Sequence, residues 1–305
     1  MTPSELQRRY TLRLNRLIDD YARQVAKGNM PDTTALRNAL KQSLVLANLR
    51  GQAFMASRLR ARGLPIPKST GEMPGGINSR AVRLLAQKVP LLKQRATVLN
   101  DLYGEKAFYV AEQLGPLTQA NIEKVKELTL RFALGEGLAP QPVKGKPGLL
   151  EEAKQQVANL TKFRLQTIFW TQTAQAYHDG TYEQQHDPDV EGAILYREYL
   201  SARTETTRPS HRAMHGFLAP ADDPIWEQIW PLNGFNCKCL SPSPIFRPEA
   251  RRAGLLDSQG APVGRVYKSK VQRELVEGGA AEIDGKQWVF PDRGWDKPKV
   301  SVLVA

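Results

Sequence analysis

The stretch "SHRAMHG" (210–216) carries two of the chain's four histidines, and "GFNCKC" (234–239) carries both of its cysteines. His211 and His215 are four residues apart, so on a helix both imidazoles stack on one face at a separation that can chelate a metal. Cys237 and Cys239 follow Gly234, where a flexible turn can aim both sulfurs at one point and complete a tetrahedral Cys₂His₂ set. Thiolate with imidazole suits zinc, and four protein ligands leave no open catalytic position. The expectation is therefore a structural staple made by His211, His215, Cys237 and Cys239. The alternative needs no metal: Arg208, Ser210, His211 and His215 form a polar network that holds the loop, and the cysteines are small buried hydrophobes.

A catalytic use of these residues demands more than their spacing provides. A thiol nucleophile needs an activated cysteine facing oxyanion donors. A metal-dependent nuclease, or another phosphoester hydrolase, needs an open coordination position or a carboxylate beside the histidine pair, for which Glu205, Asp222 and Asp223 are the candidates. No catalytic residue is assigned, and the chain is read as non-enzymatic. Trp226 and Trp230 also lie four apart and are expected to fill a core. His178 in "YHDG" and His186 in "QHDP" read as helix-end or turn residues without a role.

The elements that must position this constellation are mostly helical. "SELQRRYTLRLNRLIDDYARQVAKG" has Ser4 as an N-cap, apolar residues Leu6, Tyr10, Leu14, Leu17, Ile18 and Tyr21 at helical spacing, and Gly28 as a stop. A second helix carries Leu36, Leu40, Leu44 and Leu49 and ends in the cluster Arg58, Arg60 and Arg62. "LPIPKSTGEMPGGINS" then gathers Pro, Gly and Ser without periodicity and marks a boundary. Helical periods resume over 79–114, broken or kinked at Pro90, and over 118–138. After the loop "APQPVKGKPG" comes the longest helix, from about Leu149 to Gln185, with Glu151 and Glu152 in its first turn and Gly180 as a point where it ends or is interrupted. Beyond Pro188, "GAILYREYLSA" reads as a strand and "KQWVF" as another, among Pro- and Gly-rich turns. The expected fold is α+β: a predominantly helical amino-terminal two thirds and a small mixed carboxy-terminal domain. The expected divisions are a basic helical arm (1–70), a helical region (71–150) and a final domain (151–305).

The formal charge of +12 over 305 residues is concentrated at one end. Residues 1–70 hold thirteen Lys and Arg against four Asp and Glu, a net +9. Such an arm attracts polyanions by counterion release, so the expected partner is DNA bound without sequence preference, or an acidic protein surface. No apolar run is long enough to span a bilayer, and the amino terminus lacks a signal-peptide core, so the chain is expected to stay where it is made. Two cysteines one residue apart do not form a disulfide framework, which fits a reducing compartment.

Taken together, "TTRPSHRAMHG" and "DDPIWEQIWPLNGFNCKC" resemble the signature of the phage Mu F-like minor head proteins, the head morphogenesis family, in which Arg-Pro-x-His-x-x-x-His-Gly precedes Asn-Cys-Arg-Cys. "RLQTIFWTQTAQAYHDGTYEQ" is similar to that family's preceding helix and "VFPDRGWDKP" to its terminal segment, so the resemblance spans about 150 to 298. Gln172, Glu205, Leu232 and Lys238 depart from the family's more usual residues. The resemblance implies a minor capsid protein of a tailed phage or prophage. Such a protein is made in the host cytoplasm, joins the portal and other head proteins in the virion, and serves head assembly or DNA packaging and ejection. It also implies supporting roles for Arg208, Pro209, Ser210, Gly216 and Asn236 around the histidines and cysteines.

Overall fold

A computed structural model describes residues 3–64, 118–123, 126, 149–293 and 295. The expected linker at 64–79, the kink at Pro90 and the loop at 139–148 lie outside the described residues, apart from Leu64, as do most of the helices expected over 79–114 and 118–138. Among the latter, residues 118–123 are helical. The fold is α+β, with helices at the amino-terminal side and a few antiparallel strands toward the carboxy terminus. No helix among the described residues is long and apolar enough to cross a membrane.

The chain forms two compact units that cut across the expected division at residue 70. The first takes helix α1 (Pro3–Ala26), helix α2 (Thr34–Ala61) as far as Leu46, residues 118–123, and helix α3 (Leu149–Gln185) as far as Trp170. In α1 the residues Leu14, Ile18, Tyr21, Ala22 and Val25 recur at helical spacing and are buried. Gly28, at φ +78°, follows the helix in the left-handed conformation that ends it. The Tyr21 hydroxyl bonds the Thr118 hydroxyl at 2.7 Å, and Lys162 pairs with Asp19 at 2.7 Å on the surface.

The second unit takes α2 from Ala47, α3 from Thr171, and the rest of the described chain. Here α2 and α3 cross at two glycines. A Cβ on Gly51 would overlap the Tyr177 carbonyl oxygen and lie 3.1 Å from the Thr181 nitrogen; one on Gly180 would overlap the Asn48 carbonyl oxygen and lie 3.1 Å from the Gln52 nitrogen. Gly180 neither ends nor interrupts α3, which runs on to Gln185; it is the point at which a second backbone approaches. Beside the crossing, the buried Glu183 carboxylate accepts from Asn48 Nδ2 at 3.2 Å and Gln52 Nε2 at 2.8 Å. Burying such a carboxylate is costly, and those donors offset part of the cost.

After the short helix α4 (Pro188–Glu191), strand β1 (Ile194–Leu200) pairs antiparallel with β2 (Leu218–Pro220) on one side and β3 (Leu240–Phe246) on the other. Pro242 and Pro244 fit an edge strand, where a missing amide leaves no gap in a ladder. Met55, Ala56 and Leu59 of α2 pack with Val190 and Ile194. Arg58 donates to the Ser243 hydroxyl at 3.3 Å and Arg62 to the Pro244 carbonyl, so part of the basic cluster closing α2 is engaged along β3. Helices α5 (Pro209–Ala213), α6 (Ile225–Ile229), α7 (Arg247–Arg252) and α8 (Lys270–Gly278) and the hairpin of β4 (Ala280–Ile283) and β5 (Lys286–Val289) complete the unit. Asp284 and Gly285, both at positive φ, make the tight turn such a hairpin needs.

Trp226 and Trp230 are buried, as expected of core residues, and their indole nitrogens donate to the Pro220 and His178 carbonyls. His178 is not at a helix end: it lies inside α3, buried, with Nδ1 2.7 Å from the Ser241 hydroxyl. His186 does follow the end of α3, stacked on Tyr182 at 3.7 Å. Burial and the nearby Arg197 cation push its pKa down to about 4. Unfolding restores the ordinary value near 6.5, so the contribution is complete above pH 6.5 and disappears as the pH falls to about 4; the shift corresponds to about 3 kcal/mol. His186→Phe, which keeps the stacking, is expected to flatten that limb of the stability profile, measured by urea unfolding from pH 7 to pH 4. An unchanged limb would assign the loss to other groups.

Candidate metal centre

Three chain segments converge on one point. The first is α5, which Pro209 opens at the position where a missing amide costs nothing; Arg208 precedes it in an extended conformation. The helix lasts only five residues, because Gly216, at φ +79°, turns the chain into β2, and its amide donates to the Tyr199 carbonyl at 2.8 Å. The buried Gln272 amide clamps the helix end by donating to the carbonyls of Ala213 at 3.0 Å and His215 at 3.4 Å.

The second segment is the loop from Asn233 to Cys239. Asn233 is fully buried and donates from Nδ2 to the Ile229 carbonyl at 2.8 Å and the Tyr199 hydroxyl at 3.0 Å. Asn236 adopts φ +54°, a left-handed turn that places the two cysteines, and its amide donates to the Thr171 hydroxyl at 3.1 Å. The third segment follows β5: the Asp292 amide donates to the Asn233 carbonyl at 3.0 Å and carries the Asp292 carboxylate against Gly234. A Cβ at Gly234 would collide with that carboxylate.

His211 Nδ1 lies 3.4 Å from the Cys237 sulfur and 3.5 Å from the Cys239 sulfur, and the three possible ligand atoms lie within 4.8 Å of one another. A tetrahedral zinc with bonds of about 2.3 Å to sulfur and 2.0–2.1 Å to nitrogen would separate those atoms by roughly 3.6 Å, so the cluster already has the dimensions of a ligand set. The other ring nitrogen, Nε2, faces Asp292 Oδ1 at 3.0 Å. A proton on Nε2 given to that carboxylate leaves the Nδ1 lone pair pointing at the sulfurs, the outer support that metal-binding imidazoles use. Asp292 Oδ2 meets Arg208 Nε at 3.2 Å, and Arg208 Nη2 donates to the Phe235 carbonyl at 2.7 Å. Phe290 meets the His211 ring edge-on at 5.2 Å.

The electrostatics favour a thiolate. The hydrogen bond from Cys239, aided by His211, pushes the Cys237 thiol well below its ordinary value, while Cys239, keeping the proton beside a thiolate, is pushed up. Burial opposes the imidazolium of His211, but hydrogen bonds to Asp292 and Cys237 outweigh it and raise its pKa. Burial next to the sulfurs drives the Tyr199 phenol well above its ordinary range, so it stays neutral.

The expected four-residue set is corrected in one member. His215 stands apart from the cluster, because α5 has ended before it; its Nδ1 accepts the Ser201 amide at 3.2 Å instead. The polar network suggested as a metal-free alternative is likewise incomplete: Arg208 and His211 share Asp292, whereas the buried Ser210 hydroxyl has no hydrogen-bond partner among the described residues. Among the described residues no carboxylate joins the group of ligand atoms. Asp223 is held by Arg265 at 2.7 Å, and Glu205 and Asp222 are exposed. Asp292, Asn233 and Tyr199 were not singled out from the sequence; the only signal there was the place of Asp292 in the terminal "VFPDRGWDKP".

Residues 145–241 match the model of the family described as "Phage Mu protein F like protein", a span that contains α5, the cysteine loop and most of the second unit's sheet. Over 115 residues the chain is 35% identical to the "Mu-like prophage FluMu F protein" of Haemophilus influenzae, covering 38% of this chain and 26% of that protein. Over 138 residues it is 34% identical to the "Putative capsid assembly protein F" of Escherichia phage Mu, covering 43% of this chain and 31% of that protein. The chain thus spans less than a third of the length of either relative, and no solved structure matches it. The region that holds His211, Cys237 and Cys239 is thus similar to the phage Mu F-like family.

Proposed function

We propose that this chain is a minor capsid protein of a tailed phage or prophage, placed with the portal in the virion head and needed for head assembly or for DNA packaging and ejection. The observation that carries the reading is the match of residues 145–241, whose relative in phage Mu is named for capsid assembly. The candidate centre suits an architectural part: His211, Cys237, Cys239 and Asp292 tie three separate chain segments together. The role is structural, not enzymatic. Mass spectrometry of density-banded heads from a lysate of the source culture tests it. Presence at a few copies per head, far fewer than the major capsid protein, is the expected result; absence from proheads and full heads alike, with the chain free in the lysate, would overturn it.

Zinc is the ion proposed for the site. Two thiolates and a neutral imidazole neutralise a divalent cation, and this soft donor set selects zinc over magnesium or calcium.

The basic amino-terminal region is proposed to contact packaged DNA. Arg13 and Arg16 are exposed on α1 and open to phosphate. Replacing both by Gln is expected to lower the dependence of log affinity on log salt by about 0.9 for each phosphate no longer neutralised, measured by fluorescence anisotropy on duplexes of unrelated sequence. An unchanged slope would turn attention to an acidic protein partner.

A further inference from the structure

The three ligand atoms do not face a sealed interior. Cys237, Cys239 and His211 line a cavity of about 150 Å³, whose other walls include Thr204, Thr206, Thr207, Arg208 and Lys238. We infer that the metal is held by three protein atoms only, and that its fourth position opens into this cavity and binds a phosphate-type oxyanion. This rests on the metal reading above and replaces the closed four-ligand staple.

Three observations carry it. First, His215 is turned away to the Ser201 amide, and among the described residues no other His, Cys, Asp or Glu joins the ligand group. Three protein ligands with one place left is the arrangement in which zinc keeps an exchangeable ligand.

Second, the walls are chemically one-sided. Arg208 is fixed by Asp292 and by the Phe235 carbonyl, and Lys238 is exposed, with no hydrogen bond or ion pair among the described residues. The hydroxyls of Thr204, Thr206 and Thr207 cluster, that of Thr204 lying 3.3 Å from Thr206 and 2.9 Å from Thr207, and each can donate to an oxyanion. Among the described residues no carboxylate lines the cavity. Hydroxyls, a guanidinium and an ammonium together match a multidentate oxyanion rather than a neutral guest.

Third, a divalent metal with two thiolates and a neutral imidazole carries no net charge, so an incoming anion meets no repulsion at the centre and attraction at the rim. Among the described residues no carboxylate lines the walls to act as a general base or to repel the anion.

The same chemistry is offered by inorganic phosphate and by a DNA backbone phosphate. The full chain loaded with cobalt(II) in place of zinc separates them, because sulfur-to-cobalt charge transfer reports ligand binding and the d–d bands report the fourth ligand. The expected result is a charge-transfer band together with a saturable d–d shift on adding inorganic phosphate, a short oligonucleotide, or both; whichever produces the shift identifies the source. Lys238→Ala is expected to keep the cobalt and its charge-transfer band while weakening the phosphate response about tenfold. A charge-transfer band with d–d bands indifferent to both anions overturns the open position and leaves the metal reading standing. No charge-transfer band at all overturns both.

Discussion

Changing Cys237 and Cys239 together to serine is expected to release the metal and to lower the stability of the carboxy-terminal unit by about 4 kcal/mol at free zinc a thousand times the dissociation constant. The loss reaches beyond the sulfurs. His211 loses the partner at Nδ1, and the cysteine loop loses its link to α5. Asp292, anchored to Asn233 through its amide, then faces a ring that no longer has a fixed orientation. Metal analysis of the purified chain and thermal unfolding with and without a chelator give the readout: wild type melts earlier when chelated, and the double variant melts early in both conditions. Two further variants divide the site into ligands and supports. His215→Ala is expected to retain a full equivalent of metal, because its Nδ1 is occupied by the Ser201 amide. Asp292→Asn keeps a polar neighbour at Nε2 but removes the charge, and is expected to weaken metal binding by about 10- to 100-fold. A metal-free wild type that melts identically with and without chelator would sink the metal reading.

The sequence made the site legible to the extent that ligand chemistry is local. Two cysteines one residue apart and a histidine behind Arg-Pro can be read without knowing the fold, and so can the periodicity that buries Leu36, Leu40, Leu44 and Leu49 along α2. What could not be read depends on where helices stop and on what arrives from far along the chain. The spacing of His211 and His215 permits chelation only if the helix continues, and it is Gly216 and the Gln272 clamp that end it. Asp292 and Tyr199 enter through the hairpin after α8 and through β1, and nothing near the histidines announces them. The α+β class was legible from the change of texture after Pro188. The assignment of α2's second half to the same unit as β1 and β3 was not, because Met55, Leu59 and Arg58 pack and bond with residues more than a hundred positions away. Gly180 shows the same limit in a single residue: the ordinary meaning of glycine in a helix is weakness, and its meaning here is set by another helix.

Gly51→Ala and Gly180→Ala are each expected to destabilise the carboxy-terminal unit by at least about 4 kcal/mol, although alanine in place of glycine within a helix ordinarily stabilises by roughly 0.5–1 kcal/mol. The reversal of sign makes the prediction discriminating. Each new methyl would overlap a carbonyl oxygen of the opposite helix, Tyr177 in one case and Asn48 in the other, and a backbone oxygen committed to its own helix cannot rotate aside as a side chain does. The two helices must separate, and separation also draws Asn48 and Gln52, two donors to the buried carboxylate, away from Glu183. Urea unfolding of the full chain, followed by tryptophan fluorescence from the buried Trp226 and Trp230, reports the unit concerned. The pair should be strongly non-additive: once one methyl has parted the helices, the second meets little, so the double variant is expected to cost scarcely more than the worse single one. Additive losses would mean that the two close approaches are independent and that α2 and α3 do not share one crossing point. A stabilising Gly180→Ala would mean that the helices stand further apart at residue 180 than the carbonyl of Asn48 allows.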